Sequence, residues 1–287
     1  MKKYILISID VEDWFQVENF KSCIPFSDWP FCELRVEKNT HRMLDILDQF
    51  PTDSGTNPKA TFFMLGWLAE RLPALVREIR KRGHEVASHG YYHNLCNRES
   101  YRDLTADLKD SKKLLEDITG EQVAGYRAPS FSINADVLKR IEDCGYLYDS
   151  SYNSFGLHGR YGHVVLPQNG NKRAAVRLSE HFYELPVSNL AIRNQILPWG
   201  GGGYFRMIPF PVFRQGITHI LKKKDAYVFY MHPWEIDPDQ PRLKQASASC
   251  RFRHYVNLRR TENKLSEMLT SFRDHHLISC RQYLAET

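Results

Sequence analysis

Gly83 to His93 reads GHEVASHGYYH, and the fold turns on how this stretch is taken. Its first half reads as a short buried strand, and HGYYH begins where that strand ends. Two histidines four residues apart, His89 and His93, share a face if the segment is helical. Imidazole nitrogens at that spacing reach one transition-metal ion. The C-terminal end of a strand is also where α/β folds keep their active sites. A surface or capping pair of histidines has the same spacing, so the rest of the chain has to decide.

Upstream, Tyr4–Ile9 is apolar and β-branched enough for an interior strand. It runs into Asp10, Val11, Glu12 and Asp13. Three acids at the end of a buried strand need a partner, a metal or water. Strand periodicity puts Asp10 and Glu12 on one side and turns Asp13 away. Ala60–Leu65 reads as a second strand. Downstream, Gln122–Arg127 is a fourth, followed by a short strand at Tyr146–Asp149 and another at His181–Val187. Ala226–Met231 is the last clear strand and delivers His232, Pro233, Trp234 and Glu235.

Apolar spacing predicts helices over Glu37–Phe50, Trp67–Arg82, Tyr101–Thr119, Asn134–Cys144, Phe210–Lys224 and Tyr255–Phe272, with Leu277–Leu284 closing the chain. Gly83, Gly120 and Gly145 are placed as helix stops. The stretch from Trp14 to Val36 carries Pro25, Trp29, Pro30 and Phe31 and reads as a lid or rim. Gly200–Gly203 lacks the spacing of a phosphate-binding loop and reads as close backbone packing or a flexible rim.

Strand and helix alternate at least five times, which favours a parallel sheet wrapped by helices. Asp10, Glu12, His89, His93, Arg127 and His232 all follow strands, from the first to the last. An open sheet keeps its first and last strands apart, whereas a barrel gathers these loops at one mouth.

The chain has 287 residues, 42% hydrophobic and 25% charged, ordinary for a soluble globular protein. A net charge of +5 does not point to nucleic acid. Lys222–Lys224 ends a predicted helix, where cations suit the dipole. The apolar run after Met1 stops at Asp10, too short for a signal peptide. No stretch approaches a membrane-spanning length. A cytoplasmic protein is expected, with recruitment to a membrane surface left open. Cys23, Cys32, Cys96, Cys144, Cys250 and Cys280 have no CxxC spacing and are expected as free thiols.

Taken in order, the acidic motif after the first strand, HGYYH, GYRAPSF and YMHP resemble the polysaccharide deacetylases, the chitooligosaccharide-deacetylase homology domain of carbohydrate esterase family four. The segments IDVEDWF, ATFFMLGW, GGGGYFRMIP, YMHPWEID and RFRHYVNLRRTENKLSEML resemble more narrowly a bacterial branch associated with exopolysaccharide assembly. The resemblance covers nearly the whole chain. It implies an α/β fold, a distorted (β/α) barrel with fewer than eight units. Residues 1–287 are then one catalytic domain, with 240–287 a C-terminal extension packed on the barrel.

The implied reaction removes the N-acetyl group from an N-acetylhexosamine unit with a divalent metal, zinc foremost. By motif, His89 and His93 are metal ligands with an acid of the first motif as the third. Asp10 is the catalytic base, Arg127 its partner and His232 the general acid. The backbone N–H of Tyr92 or a neighbour is the oxyanion contact, with Pro129 and Trp234 beside the substrate. Glu12 shares the face of Asp10 and has the longer side chain, so Glu12, His89 and His93 are the expected ligands. Asp13 is the second choice and Cys96 an outsider.

Two departures stand out. The family's first motif has adjacent aspartates. Its fourth motif, with a tryptophan near the acid that holds the arginine, is not recognisable. Trp199, Glu184 and Trp234 are the candidates for that role. Trp14, Trp29, Tyr204 and Phe205 are either sugar-stacking or packing residues. His84, His158, His163, His181, His219, His254, His275 and His276 have no motif context and read as solvent or packing residues.

Two other readings keep the same fold: a hydrolase of a small cyclic amide or ureide, and a non-catalytic carbohydrate-binding barrel. The expected partner is an N-acetylated amino sugar, free or carrier-linked. Arg251, Arg253, Arg259 and Arg260 read either as a solvated basic face or as a site for an anionic carrier such as a diphosphate.

Overall fold

The computed structural model describes residues 2–156, 161–167 and 172–287; His158 lies outside them. The strand β1 (Tyr4–Val11) is buried along its whole length. Its neighbours explain this: β10 (Ala226–Met231) pairs with it in parallel on one edge and β2 (Thr61–Met64) on the other. β3 (Glu85–Ser88), β4 (Gly125–Tyr126), β5 (Tyr148–Asp149) and β7 (Tyr183–Glu184) continue the parallel series, and β6 (Val176–Arg177) joins β7 antiparallel. β11 (His276–Leu277) adds to the start of β1. β8 (Asn189–Ile192) and β9 (Gln195–Pro198) form a separate hairpin.

The sheet curls into a distorted barrel. Its seam lies between β10 and the chain after β7, and hydrogen bonds stitch it. Ser188 N–H donates to Val228 O at 3.1 Å, and Tyr230 N–H to Gly200 O at 2.7 Å. Val228 N–H donates to Ser188 Oγ at 2.8 Å.

Alternation along β1 decides what faces inward. Ile5, Ile7, Ile9 and Val11 belong to the core between sheet and helices. Tyr4 and Leu6 belong to the second core, inside the barrel, with Phe63, Tyr148, Leu185 and Val228. Ser8, Asp10 and Glu12 continue that inward series toward the mouth and are buried. The interior is therefore apolar at its base and polar at its top.

The helices are α1 (Val36–Gln49), α2 (Gly66–Arg71), α3 (Pro73–Lys81), α4 (Tyr101–Thr119), α5 (Ala135–Asp143), α6 (Gly202–Met207), α7 (Phe210–Lys223), α8 (Ala248–Tyr255), α9 (Leu258–Ser271) and α10 (Cys280–Glu286). Two expected helices are broken. Trp67–Arg82 divides because Pro73 cannot continue a helix and instead starts α3. Tyr255–Phe272 shortens to α9, because Asn257 sits at φ 56° and turns the chain after α8. The base of the barrel is closed by α10, where Tyr283 Oη donates to the Asp225 carboxylate at 3.0 Å and Cys280 N–H to Thr61 Oγ1 at 2.8 Å.

Gly201 caps α6 and Gly202 begins it, so the glycine run is a helix start. It is also a close approach: a Cβ on Gly202 would stand 2.2 Å from Glu235 Oε1.

Candidate active site at the barrel mouth

A cavity of about 240 Å³ opens at the C-terminal end of the strands. Asp10, Glu12, His89, His93, His232 and Trp234 all line it. The HGYYH stretch reaches it as a turn and not as a helix: Gly90 has φ 73° and His93 φ 54°. Gly66 N–H donates to Gly90 O at 2.8 Å, and Tyr91 N–H to both oxygens of Asp107 at 2.7 and 2.8 Å, which pins the turn. The His89 and His93 rings converge to 5.3 Å between centroids.

Ligating atoms of Glu12, His89 and His93 all lie within 4.8 Å of one another. Glu12 Oε2 is 2.8 Å from His93 Nε2, yet it is buried without a hydrogen bond. His89 Nδ1 lies 2.8 Å from Arg127 O, a contact that places its proton there and leaves Nε2 as the lone pair. An orphaned carboxylate oxygen beside two imidazoles fits a borderline divalent cation such as zinc. Burial pushes the Glu12 carboxyl up, but His93, His232 and His89 outweigh it and bring it to about 2. Burial holds the His89 imidazole down to about 4, the neutral form a metal requires.

Asp13 is occupied elsewhere. Its Oδ2 accepts Arg35 N–H at 2.7 Å and Val36 N–H at 2.9 Å, and its Oδ1 accepts Trp14 N–H at 2.8 Å. It therefore anchors the start of α1, and burial raises it to about 6 despite those donors. Cys96 is also apart, with Sγ 3.3 Å from the Tyr126 hydroxyl and burial pushing its thiol up to about 12.

Arg127 is fully buried beneath Asp10. Its Nη1 donates to Asp10 Oδ1 and to Ser8 Oγ, both at 2.7 Å. Its Nε and Nη2 donate to Ser150 O and Ser150 Oγ, both at 2.8 Å. Its guanidinium lies 4.1 Å over the Phe63 ring. The serines thus hold the arginine, and none of the three sequence candidates hydrogen-bonds to it. Trp199 donates to Phe213 O, and Trp234 stacks elsewhere. Glu184 faces Asp149, where burial first and then that neighbouring acid raise its carboxyl well above the usual range.

His232 stands across the cavity, its Nε2 3.2 Å from Glu12 Oε1 and 4.0 Å from Asp10 Oδ2. Its Nδ1 meets Glu235 Oε1 at 2.8 Å. Glu235 Oε2 in turn accepts Arg206 Nε at 2.7 Å. Burial alone lowers His232, but Glu12, Glu235 and Asp10 outweigh it and raise it to about 9. Trp234 lies flat between His232 and His254, with centroids at 5.1 and 4.1 Å and planes at 16° and 12°. Sequence reasoning missed Glu235 and Arg206. The signal for Glu235 was its place three residues after His232, a capping-box spacing. Arg206 follows the glycine run and carried no local signal.

Tyr92 does not line this cavity; it lines a neighbouring groove with Tyr91 and Asp107. Its backbone N–H serves the Asp107 carboxylate, as that of Tyr91 does. Pro129 is buried and also off the lining, while Ser130 and Phe131, both at positive φ, line it. Tyr204 lines the cavity, whereas Trp14, Trp29 and Phe205 are buried in the core.

Residues 22–148 match the family model described as polysaccharide deacetylase, and residues 150–284 match one described as a domain of unknown function, DUF3473. A peptidoglycan deacetylase-like protein of Gibberella zeae is 31% identical over 151 residues, 51% of this chain and 43% of that protein. A peptidoglycan-N-acetylglucosamine deacetylase of Bacillus cereus is 35% identical over 107 residues, 37% of this chain and 47% of that protein. The chain thus spans less than half the length of these relatives. A solved Mycobacterium smegmatis structure, described as a polysaccharide deacetylase, shares the fold with a TM-score of 0.62 at 20% identity, over 99% of this chain and 90% of that one. The cavity draws on both matched halves and on β1, which precedes them.

Proposed function

We propose, from the membership of residues 22–148 in the polysaccharide deacetylase family, that this chain hydrolyses the N-acetyl group of an N-acetylhexosamine in a polysaccharide or its precursor. The products are acetate and a free amine. The observation that carries the reading is the placement of Asp10 and His232 beside the Glu12, His89 and His93 cluster at one barrel mouth. We read residues 1–287 as a single catalytic unit, since Asp10, Glu12 and His232 all lie outside 22–148.

A divalent metal, zinc by the donor set, would be held by Glu12, His89 and His93 and would supply Lewis acidity to the amide carbonyl. Asp10 takes the proton of the attacking water, and Arg127 orients the Asp10 carboxylate. His232 delivers a proton to the departing nitrogen, its ring held by Glu235. Trp234 forms the apolar wall against which the sugar lies.

Acetate release tests the reading, measured on polymeric, nucleotide-linked and lipid-linked N-acetyl sugars, with and without zinc. Zinc-dependent acetate from any of these is the expected result. Ring opening of a small cyclic amide without acetate release would transfer the site to ureide chemistry. No turnover of any amide, with zinc bound, would leave a carbohydrate-binding barrel.

A further inference from the structure

The hairpin of β8 and β9 leaves the barrel at its seam, between Ser188 and Gly200. Its root is fixed: Leu190 is buried, and Trp199, just past β9, donates to Phe213 O of α7 at 2.9 Å. Farther out, Lys223 Nζ donates to Ala191 O at 3.4 Å, so the hairpin lies along that helix. Toward the turn the cover ends. The register puts Leu197 opposite Leu190, with Ile192 on the same face, and Ile196 opposite Ala191 on the other face. Ile192, Ile196 and Leu197 are 48%, 42% and 37% exposed. A hairpin packed on one side alternates apolar and polar residues. This one presents apolar side chains on both faces. Val212, 50% exposed, shares the stripe of α7 that carries Lys223 beside the hairpin.

The charge here has one sign. Residues 185–224 hold no Asp or Glu. Arg193 closes the hairpin turn at φ 52°, and Lys222 and Lys223 end α7. All three are exposed and in no ion pair among the described residues. The acids at either end of this stretch are committed: Glu184 is buried against Asp149, and the Asp225 carboxylate accepts the Tyr283 hydroxyl. Glu180 lies beside His181 at 3.9 Å. Glu267 lies with Phe210, on the other flank of α7 from Val212.

We propose that the β8–β9 hairpin and the adjoining flank of α7 dock on an anionic lipid surface. Ile192, Ile196, Leu197 and Val212 enter the headgroup layer, and Arg193, Lys222 and Lys223 meet the lipid phosphates. Exposed apolar side chains flanked by unpaired cations match such a surface in both of its properties. A second copy of this chain matches it less well, because a two-fold contact would set those cations against their own copies. Docking is peripheral, since no helix among the described residues is long and apolar enough to cross a membrane. None of the docking residues lines the reaction cavity, so the surface stands apart from the deacetylase reading.

Flotation of the full chain with vesicles tests the surface without turnover. Phosphatidylglycerol–phosphatidylcholine vesicles should carry the chain, pure phosphatidylcholine vesicles should carry far less, and added salt should release it. The double variant Ile192→Ser, Ile196→Ser and the double variant Lys222→Glu, Lys223→Glu should each weaken binding at least about tenfold. Phe31→Ser, at an exposed apolar position on the rim, should leave it unchanged. Circular dichroism shows that each variant is folded. No binding to the anionic vesicles, or equal binding by all variants, overturns the surface. Equal binding to neutral and anionic vesicles overturns the role of the cations. A dimer in analytical ultracentrifugation that the isoleucine variant abolishes, with no vesicle binding, assigns the face to a second copy and overturns the lipid.

Discussion

Arg206 and His232 share one carboxylate without sharing a contact: Glu235 receives Arg206 Nε on Oε2 at 2.7 Å and His232 Nδ1 on Oε1 at 2.8 Å. Both acid and base of the ion pair are buried. Glu235 therefore fixes the rotation of the imidazole from a point that is itself fixed.

Removing that point should cost rate more than binding. Glu235→Gln is expected to lower kcat about 10–100-fold with KM little changed, the usual scale for a group that orients another. Gly202→Ala should act in the same direction, since its new Cβ would stand 2.2 Å from Glu235 Oε1. Steady-state kinetics on both variants, with circular dichroism for fold, checks this. Wild-type kcat in Glu235→Gln contradicts the role.

Asp10→Asn should abolish the proton acceptor while zinc still binds. The expected loss is at least about 10²-fold in kcat. It should also destabilise the fold by about 3–5 kcal/mol, because Arg127 is left as an unpaired buried charge. Chemical denaturation and zinc titration of the same preparation measure both effects.

Glu12 and Asp13 are neighbours with separable losses. Glu12→Ala should lose stoichiometric zinc. Asp13→Ala should keep zinc and lose about 1–3 kcal/mol of stability, because Arg35 and Val36 N–H groups lose their acceptor. Tight zinc binding by Glu12→Ala, with loss in Asp13→Ala, would reverse the assignment.

Glu184 makes stability fall as pH rises. Its folded-state carboxyl titrates well above the ordinary value, chiefly through burial, then through Asp149. Between the unfolded carboxylate value of about 4.3 and that raised value, the folded chain holds a proton the unfolded chain has released. Stability should drop by up to about 1.4 kcal/mol per pH unit over that interval. Glu184→Gln should flatten the slope. Urea titrations at pH 5 and pH 7 compare the two, and equal slopes refute it.

The barrel was legible because its evidence is local and periodic. Alternation in Tyr4–Ile9 put Asp10 and Glu12 on one side, and the structure turns that side inward. The same alternation chose Glu12 over Asp13, while the ligand roles of His89 and His93 came with the family resemblance; the structure brings the three side chains together. What stayed hidden depends on distant partners. Asp13 meets backbone 22 residues away, and Arg206 meets Glu235 29 residues away. Arg127 is held by serines, which have no motif, where an acid was sought. Pro73 was visible, but amphipathic spacing continues across it and masked the break.

The flat stack of His232, Trp234 and His254 has a consequence for rigidity. His254 belongs to α8, so the helix cannot slide against the His232 ring without unstacking aromatic rings. The end of the last long strand, which delivers His232, and α8 should therefore open as one cooperative unit. Their amide protons should exchange together, which hydrogen exchange reads directly.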